Sequence, residues 1–408
     1  MRKIESLIFN EMMKHTQIEW NDLNVIVRLG SFIPVCGIAE FHAMIELNAV
    51  FASTESQYRM LSEAIQRLSK LPELKGAVPV WKRFFMSDAI NQISYLPANT
   101  DDAISVVQQP PLNGAKVSVW LYFAEDVQIS KESNDCRIMK RPHYKHLFHT
   151  QLHKRGTDTG SSPFHPSLTP LSLSIEHQTG EIFEHFSQSL SRQNCTVERN
   201  CIRTWIFVQN SDVQYAGMVS TRRDFFEREG LTPQTHFIAS TGIEGRYIYP
   251  DVFVLMDAYS IAGIASEQIR YLHASTHLNP TYEYGVTFER GTSVDFGDRR
   301  HIFISGTASI NHRGEIVHPL DVEKQTARVF ENIQALLTEA QAGMDDVAYL
   351  IVYLRDTADY ATVNRYMEQH FPTVPRVMAL APICRPGWLV EAECMAIKTV
   401  ENNCFAKF

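Results

Sequence analysis

The residues best suited to chemistry gather in the last third of the chain. Arg376 is followed fifteen positions later by Glu391, and Glu393 stands two positions further on. Arginine offers a planar fork of donors suited to a substrate carboxylate. Strand alternation over Trp388–Lys398 puts Leu389, Glu391, Glu393, Met395 and Ile397 on one face. Two carboxylates among apolar neighbours are costly unless one stays protonated or is paired. A protonated carboxyl with a raised pKa is what a general acid needs, so Glu391 is the candidate catalytic residue and Arg376 the candidate carboxylate clamp. The plainer readings are a surface arginine without a role after Pro375 and a structural glutamate paired to a neighbouring Lys or Arg.

Arg290, in Tyr284–Gly291, is the best second clamp, because it is the only cation between Asn279-Pro280 and Arg299. Tyr353 and Arg355 either line the same cleft from the next strand or are ordinary strand residues. Ser305 and Gly306 stand side by side in a strand-like run, where a glycine taken alone reads as a tight sheet position. Cys384 lies seven residues before Glu391, and a lone cysteine is most often buried and inert.

Metal and nucleotide chemistry find little support. His143, His146, His149 and His153 are close in sequence, but no Asp or Cys interleaves at a zinc-binding spacing. There is no Walker loop, Rossmann fingerprint or metalloprotease helix, so no cofactor is expected. Asn194-Cys195-Thr196 fits a glycosylation sequon without a secretory route to use it.

These residues need elements to hold them, and the chain supplies the same elements three times. Gln325-Thr-Ala-Arg-Val-Phe330-Glu331-Asn-Ile-Gln-Ala-Leu-Leu337 aligns without a gap on Gln178-Thr-Gly-Glu-Ile-Phe183-Glu184-His-Phe-Ser-Gln-Ser-Leu190. Apolar residues recur at helical spacing in both, so each reads as an amphipathic helix. A β-rich run follows, Leu350–Tyr353 in one copy and Trp205–Val208 in the other. Asp359-Tyr360 and Gln214-Tyr215 then mark a matching turn before a second helix. A fainter first copy runs from the helix Gln57–Leu68 to a strand at Ala115–Phe123. Each module reads as β-hairpin, helix, strand, helix, strand, an α+β unit with its sheet packed on two helices. Boundaries near Glu132–Pro142 and Ile264–Gln268 divide the chain into 1–135, 136–265 and 266–408. Lys154–Leu173, rich in Gly, Ser, Thr and Pro, reads as a long surface loop. Aligned last strands put Leu255 and Ser118 opposite Glu391, so one cleft in three is expected to keep the acid.

Bulk properties narrow the setting. A chain of 408 residues exceeds the usual size of one core, and 44% hydrophobic with 21% charged residues fits a globular protein. A formal charge of -8 argues against a primary role on nucleic acid, yet leaves room for a locally cationic pocket and an anionic substrate. Seven cysteines, odd in number and without a Cys-x-x-Cys pair, fit reduced thiols and a cytoplasmic location. Neither an apolar leader core near Met1–Ile8 nor a membrane-length apolar run is visible.

Residues 268–398 resemble the RidA/YjgF superfamily, and more closely its chorismatase branch. The resemblance rests on Ile304–Ser309, the Gln325-Thr326 helix, Asn332-Ile333, and Cys384-Arg385-Pro386 leading into Leu389-Val390-Glu391. Ala239-Ser240-Thr241-Gly242-Ile243 in the second module also looks like a chorismatase segment. The likeness implies a ring of three modules with ligand in a cleft between neighbours. Here three fused modules would close an intramolecular pseudo-trimer, and whole chains can still associate further. It carries over an arginine and a glutamate at the separation of Arg376 and Glu391, a pocket-wall strand at Ser305 and Gly306, and a ring-bordering cysteine at Cys384. The block after Asn279-Pro280 is poorer in Tyr and Arg than the branch's own, which puts chorismate in question, since a dianion needs more than one cationic anchor.

Three functions follow as expectations. The first is a chorismatase-like cleavage of an enol ether to pyruvate and a hydroxybenzoate or dihydroxycyclohexadiene carboxylate. The second is a RidA-like hydrolysis of enamines or imines. The third is non-catalytic binding of a small carboxylated metabolite or of a partner.

Overall fold

The computed structural model describes residues 13–97, 100–155 and 174–408. Apart from Lys154 and Arg155, the expected loop Lys154–Leu173 lies outside the described residues, as does Met1–Ile8. Three six-stranded sheets share one strand order. The first holds β1 (Lys14–Trp20), β2 (Val25–Phe32), β3 (Glu40–Leu47), β4 (Ala77–Met86), β5 (Ala103–Gln108) and β6 (Val117–Glu125), with helix α1 (Thr54–Leu68) and a short α2 (Ala89–Gln92). The second holds β7 (Gln128–Lys131), β8 (Cys136–Lys140), β9 (Lys145–Leu152), β10 (Cys201–Val208), β11 (Ala239–Glu244) and β12 (Val254–Ala262), with α3 (Ile175–Ser191), a short α4 (Val197–Asn200) and α5 (Ser211–Arg228). The third holds β13 (Ile269–Leu272), β14 (Gly291–Asp295), β15 (Arg299–Ala308), β16 (Val347–Leu354), β17 (Arg376–Leu380) and β18 (Val390–Thr399), with α6 (Val322–Glu339) and α7 (Tyr360–His370).

Each sheet runs first–second–third–sixth–fourth–fifth, with the fifth strand parallel to the fourth and forming an edge. The expected opening hairpin is a three-stranded meander: β7 and β13 have only four residues each, too few to show a period, and β1 has no fully buried residue to mark a core face. The second sheet begins at Gln128, ahead of the expected 135/136 boundary. Glu132–Asp135 forms the turn of the β7–β8 hairpin, where Ser133 N bonds to Cys136 O, and is not a linker between modules. Tyr360 opens α7, whereas Tyr215 lies a turn inside α5, so the two tyrosines are not equivalent turn residues.

One buried glutamine explains why the repeat is visible in sequence. Gln325 Oε1 accepts from the Leu389 N–H, Gln178 Oε1 from Phe253 N–H and Gln57 Oε1 from Lys116 N–H. In every module the bonded amide immediately precedes the last strand. The side chain satisfies a buried donor that no strand partner reaches, so the position tolerates little else. Around it α6 buries Thr326, Val329, Phe330, Ile333, Leu336 and Leu337, with Asp321 capping through the Lys324 N–H.

The three modules close around one axis. β5 of module 1 packs on β9 of module 2, β11 of module 2 on β15 of module 3, and β17 of module 3 on β3 and β6 of module 1. Trp81, Trp120, Trp205 and Tyr349 meet at the axis, with ring centroids 5.3 Å apart for Trp81–Trp205 and 4.2 Å for Trp120–Tyr349. One buried ion pair crosses each junction: Arg83–Asp257 at 2.8 Å, Arg203–Glu393 at 2.6 Å and Arg299–Glu40 at 2.6 Å. Removing one partner of such a pair strands a buried charge, a loss of about 3–5 kcal/mol.

Candidate functional site

Strand register shows where each module places equivalent residues. Met86↔Val117, Val208↔Val254 and Leu354↔Val390 are equivalent pairs, so Ser118, Leu255 and Glu391 hold the same position one residue on. Only the third module has an acid there. By the same register Ile104, Ser240 and Arg376 are equivalent on the edge strands. In a closed ring a module's edge strand faces one neighbour and the carboxylate position faces the other. Arg376 therefore belongs to the cleft between modules 3 and 1, and Glu391 to the cleft between modules 2 and 3.

The expected convergence of Arg376 and Glu391 is thus absent. Arg376 is buried against module 1 beside Arg28 and bonds Glu368, with further bonds to the carbonyls of Phe371 (2.7 Å) and Pro372 (3.3 Å). Burial and the nearby Arg28 charge lower its pKa. Glu368, half-exposed on α7, accepts from both guanidiniums and fills the place a substrate carboxylate would take. Ser118, which holds the acid position facing that cleft, cannot act as an acid.

Glu391 lines a cavity of about 330 Å³ between modules 2 and 3. The wall beside it is bulged: Ile304 pairs with Cys394 but Thr307 with Ala392, so β15 carries one extra residue at Ser305–Gly306. The Glu391 carboxyl lies over Gly306, where a Cβ would overlap Oε1. None of the described residues donates a hydrogen bond to that carboxyl. Burial, reinforced by the like charge of Glu393 and opposed by Arg203 and Arg290, raises its pKa to about 8. Glu393, by contrast, is paired: its carboxylate accepts from Arg203 at 2.6 Å, Trp205 Nε1 at 2.7 Å and the Thr241 hydroxyl. The two acids of β18 thus take the two solutions open to a buried carboxyl, protonation and pairing.

Of the other sequence candidates, Arg290, Cys384 and Gly306 line this cavity. Arg290 is braced by the Asn279 carbonyl (2.9 and 3.1 Å) and its guanidinium lies 5.4 Å from the Tyr284 ring. Burial and the nearby Glu391 push the Cys384 thiol up to about 12, so it is a neutral wall group beside the Tyr215 hydroxyl. Ser305 is not in the wall. Its hydroxyl donates to Glu289 O (2.6 Å) and accepts from Ser240 N–H (2.9 Å), joining modules 2 and 3 behind the bulge. Tyr353 is fully buried towards the axis and does not reach the cavity. Arg355 is held by Asp212 and the Ile383 carbonyl (2.6 Å). Among the histidines, His146 bonds Tyr259 within the second sheet and His149 bonds Ser189 on the helix α3 packed against it. No group of metal-binding side chains occurs among the described residues.

Sequence reading confined to module 3 misses half the site, because module 2 supplies the opposite wall. Arg222 on α5 is buried; its Nε donates to Thr287 Oγ1 at 3.1 Å, and its Nη2 makes no hydrogen bond among the described residues. Burial lowers its pKa, with the Tyr215 phenol working the other way. Tyr215, Val219 and Arg222 form one stripe of α5, and an arginine on an otherwise buried stripe is the signal that would have found it. Arg385 lies over the rings of Tyr284 (4.7 Å) and Trp388 (5.1 Å). Arg223, exposed on α5, lines the cavity as well, so four arginines and one carboxyl border it. Ser240, Thr241 and Gly242 complete it from β11.

Comparison with known proteins locates this arrangement. Residues 293–398 match the family described as Endoribonuclease L-PSP. A RutC family protein of Pyrococcus abyssi is 37% identical over 100 residues, 24% of this chain and 78% of that protein. The 3-aminoacrylate deaminase RutC of Acinetobacter baylyi is 29% identical over 97 residues, 23% of this chain and 77% of its own. The crystal structure of a chorismatase superposes with a TM-score of 0.61 at 18% identity, covering 80% of this chain and 96% of that one, a likeness of fold that extends beyond any single module.

Proposed function

The chain belongs to the RidA/YjgF superfamily, with a chorismatase-like relation in fold, and on that premise we propose that the cleft between modules 2 and 3 protonates and cleaves the enol ether of a cyclic dicarboxylate, chorismate being the leading case. Glu391 delivers its proton to the enolpyruvyl methylene, leaving an oxocarbenium ion at the adjacent carbon. Capture by water gives pyruvate and a dihydroxycyclohexadiene carboxylate. Capture by the ring hydroxyl, followed by elimination, gives pyruvate and a hydroxybenzoate without net uptake of water. Arg222, Arg290 and Arg385 hold the carboxylates, and Cys384 borders the ring. No cofactor enters.

The observation that carries this reading is an acid with its pKa raised to about 8 in a cavity bordered by four arginines, three of which (Arg222, Arg290 and Arg385) pack against its walls. The volume, about 330 Å³, sits at the lower end of the roughly 300–1,000 Å³ usual for small-molecule sites. An enamine or imine hydrolase of the Arg-plus-Glu type is less well supported. Ser240 takes the arginine's place in the Glu391 cleft, and Ser118 takes the acid's place in the Arg376 cleft, so neither has both groups.

Incubation with chorismate and chromatography for pyruvate and the ring product tests the proposal. Turnover by the wild type that is lost in Glu391→Gln is the expected result. Absence of turnover, or undiminished turnover by the variant, overturns it. Ammonia release from freshly generated 2-aminoacrylate would favour the second reading.

A further inference from the structure

Glu393 lies two residues from Glu391 on the same face of β18, is buried, and does not line the cavity. Its carboxylate is fixed by groups of module 2: Arg203 Nη2 at 2.6 Å, Trp205 Nε1 at 2.7 Å and the Thr241 hydroxyl. Thr241 Oγ1 also accepts from the Gly306 N–H at 2.9 Å, and Gly306 is the residue beneath the Glu391 carboxyl. A continuous chain of contacts therefore runs from the ion pair of one module junction to the acid in the cleft of that same junction.

We propose that the Arg203–Glu393 pair is a positioning and tuning element that sets how tightly Glu391 holds its proton, and through it the pH range in which the cleft works. This rests on the acid role proposed for Glu391 above. Two opposite charges sit beside the acid, and their balance is what matters. Glu393, a like charge, favours the protonated form of Glu391, and Arg203 favours the ionised form. The groups that face Glu391 or its cavity from the other surroundings are Arg290 and Tyr284 ahead of β14, Cys384 and Arg385 ahead of β18, Tyr215, Arg222 and Arg223 on α5, and Tyr353 on β16. None of these holds Glu393 in a hydrogen bond, so the pair can be altered without dismantling the anchors.

The two halves of the pair give opposite expectations, which a purely structural role does not. Glu393→Gln removes the like charge and leaves Arg203 unbalanced, so Glu391 releases its proton at lower pH. Arg203→Met removes the cation and leaves Glu393 unbalanced, so Glu391 keeps its proton to higher pH. Arg203→Lys keeps the charge and is expected to restore the wild-type value.

The test reads Glu391 directly. The infrared band of its protonated carboxyl, assigned by its disappearance in Glu391→Gln, is titrated in the intact protein without substrate. The midpoint is expected to fall by roughly one to two pH units in Glu393→Gln and to rise in Arg203→Met. The alkaline limb of kcat/KM on chorismate should move with it. Midpoints that coincide with the wild type, or that move the same way in both variants, overturn the proposal. Should Arg203→Met not fold, Glu393→Gln against Arg203→Lys decides alone: a drop in the first with no change in the second is expected, and equal changes sink it. Opposite shifts without any turnover would keep the tuning and discard the acid-catalysis reading. Turnover with unmoved midpoints would do the reverse.

Discussion

Arg376 and Glu391 sit on strands of one sheet with only β16 between them, yet their side chains meet different neighbours. Arg376 meets Arg28 of module 1 and Glu368 of its own module; Glu391 meets the wall built by Tyr215, Thr241 and Gly242 of module 2. In a ring of identical chains each cleft would receive both groups, one from each side. Fusion lets the three clefts diverge, and here the pair has been divided between two of them.

Arg376→Met should therefore act on stability and not on substrate binding. It leaves Glu368 without one of its two cationic partners, removes the donor to the Phe371 carbonyl, and leaves the Pro372 carbonyl with Arg28 alone. A loss of about 1–3 kcal/mol is expected from charged hydrogen bonds of this kind, softened because Glu368 is half-exposed and can turn to water. Denaturant midpoints should fall while KM stays within about twofold; a rise in KM of tenfold or more at unchanged stability would place Arg376 in the working cleft after all.

The arginines that do border the cavity should show the opposite pattern. Arg222→Met and Arg385→Met each remove one anchor, and a charge-assisted hydrogen bond to a carboxylate corresponds to roughly ten- to hundredfold in affinity. KM should rise more than kcat falls, provided the anchors grip substrate and transition state alike. Arg290→Met should do the same and also lower stability, because Arg290 braces the Asn279 carbonyl. Isothermal titration with a non-hydrolysable dicarboxylate separates the two effects.

How far the sequence foretold this depends on which residues carry local information. The triplication was legible because Gln57, Gln178 and Gln325 perform one backbone-bonding task in each module, which fixes residue type. The first module was faint because its second helix has shrunk to Ala89–Gln92, where α5 and α7 run through several turns. Glu391, Cys384 and Gly306 were legible since they lie on, or just ahead of, strands whose alternation and bulge are local features. The partner of Glu391 was not, because ring closure decides which module faces it. Arg222 is 169 residues away in sequence, and only the packing of β11 on β15 brings its helix to the cleft.

Gly306→Ala tests the bulge. A Cβ at this position would overlap Glu391 Oε1 and come close to Thr241 Cγ2. The carboxyl can swing away more cheaply than the backbone can move, so stability should drop only slightly while the acid is displaced from its seat. A fall in kcat of about 10²-fold is expected from a displacement near 1 Å. Comparing thermal midpoint with kcat decides it: an unchanged kcat would mean that the Glu391 position over Gly306 has no bearing on turnover.

The pH dependence of stability provides a test of Glu391 that needs no substrate. Its proton affinity is raised in the folded protein, to about 8, above the ordinary glutamate value of 4.5. The folded state therefore holds a proton that the unfolded chain loses in this range, so the stability contributed by Glu391 is fully present below about 4.5 and is lost as pH rises towards 8. Glu391→Gln keeps the shape and removes the titration. Relative to wild type, the variant should gain stability steadily from acid to alkaline pH, by an amount on the order of a few kcal/mol across the window. The gain should level off above pH 8, where the wild-type carboxyl is ionised in both states. Wild-type turnover should hold through most of this window and decline around pH 8, where the folded protein loses the acid form. Denaturation curves for both proteins at several pH values would show it, and a constant difference between them at every pH would mean that Glu391 titrates like any exposed glutamate and has no proton to deliver.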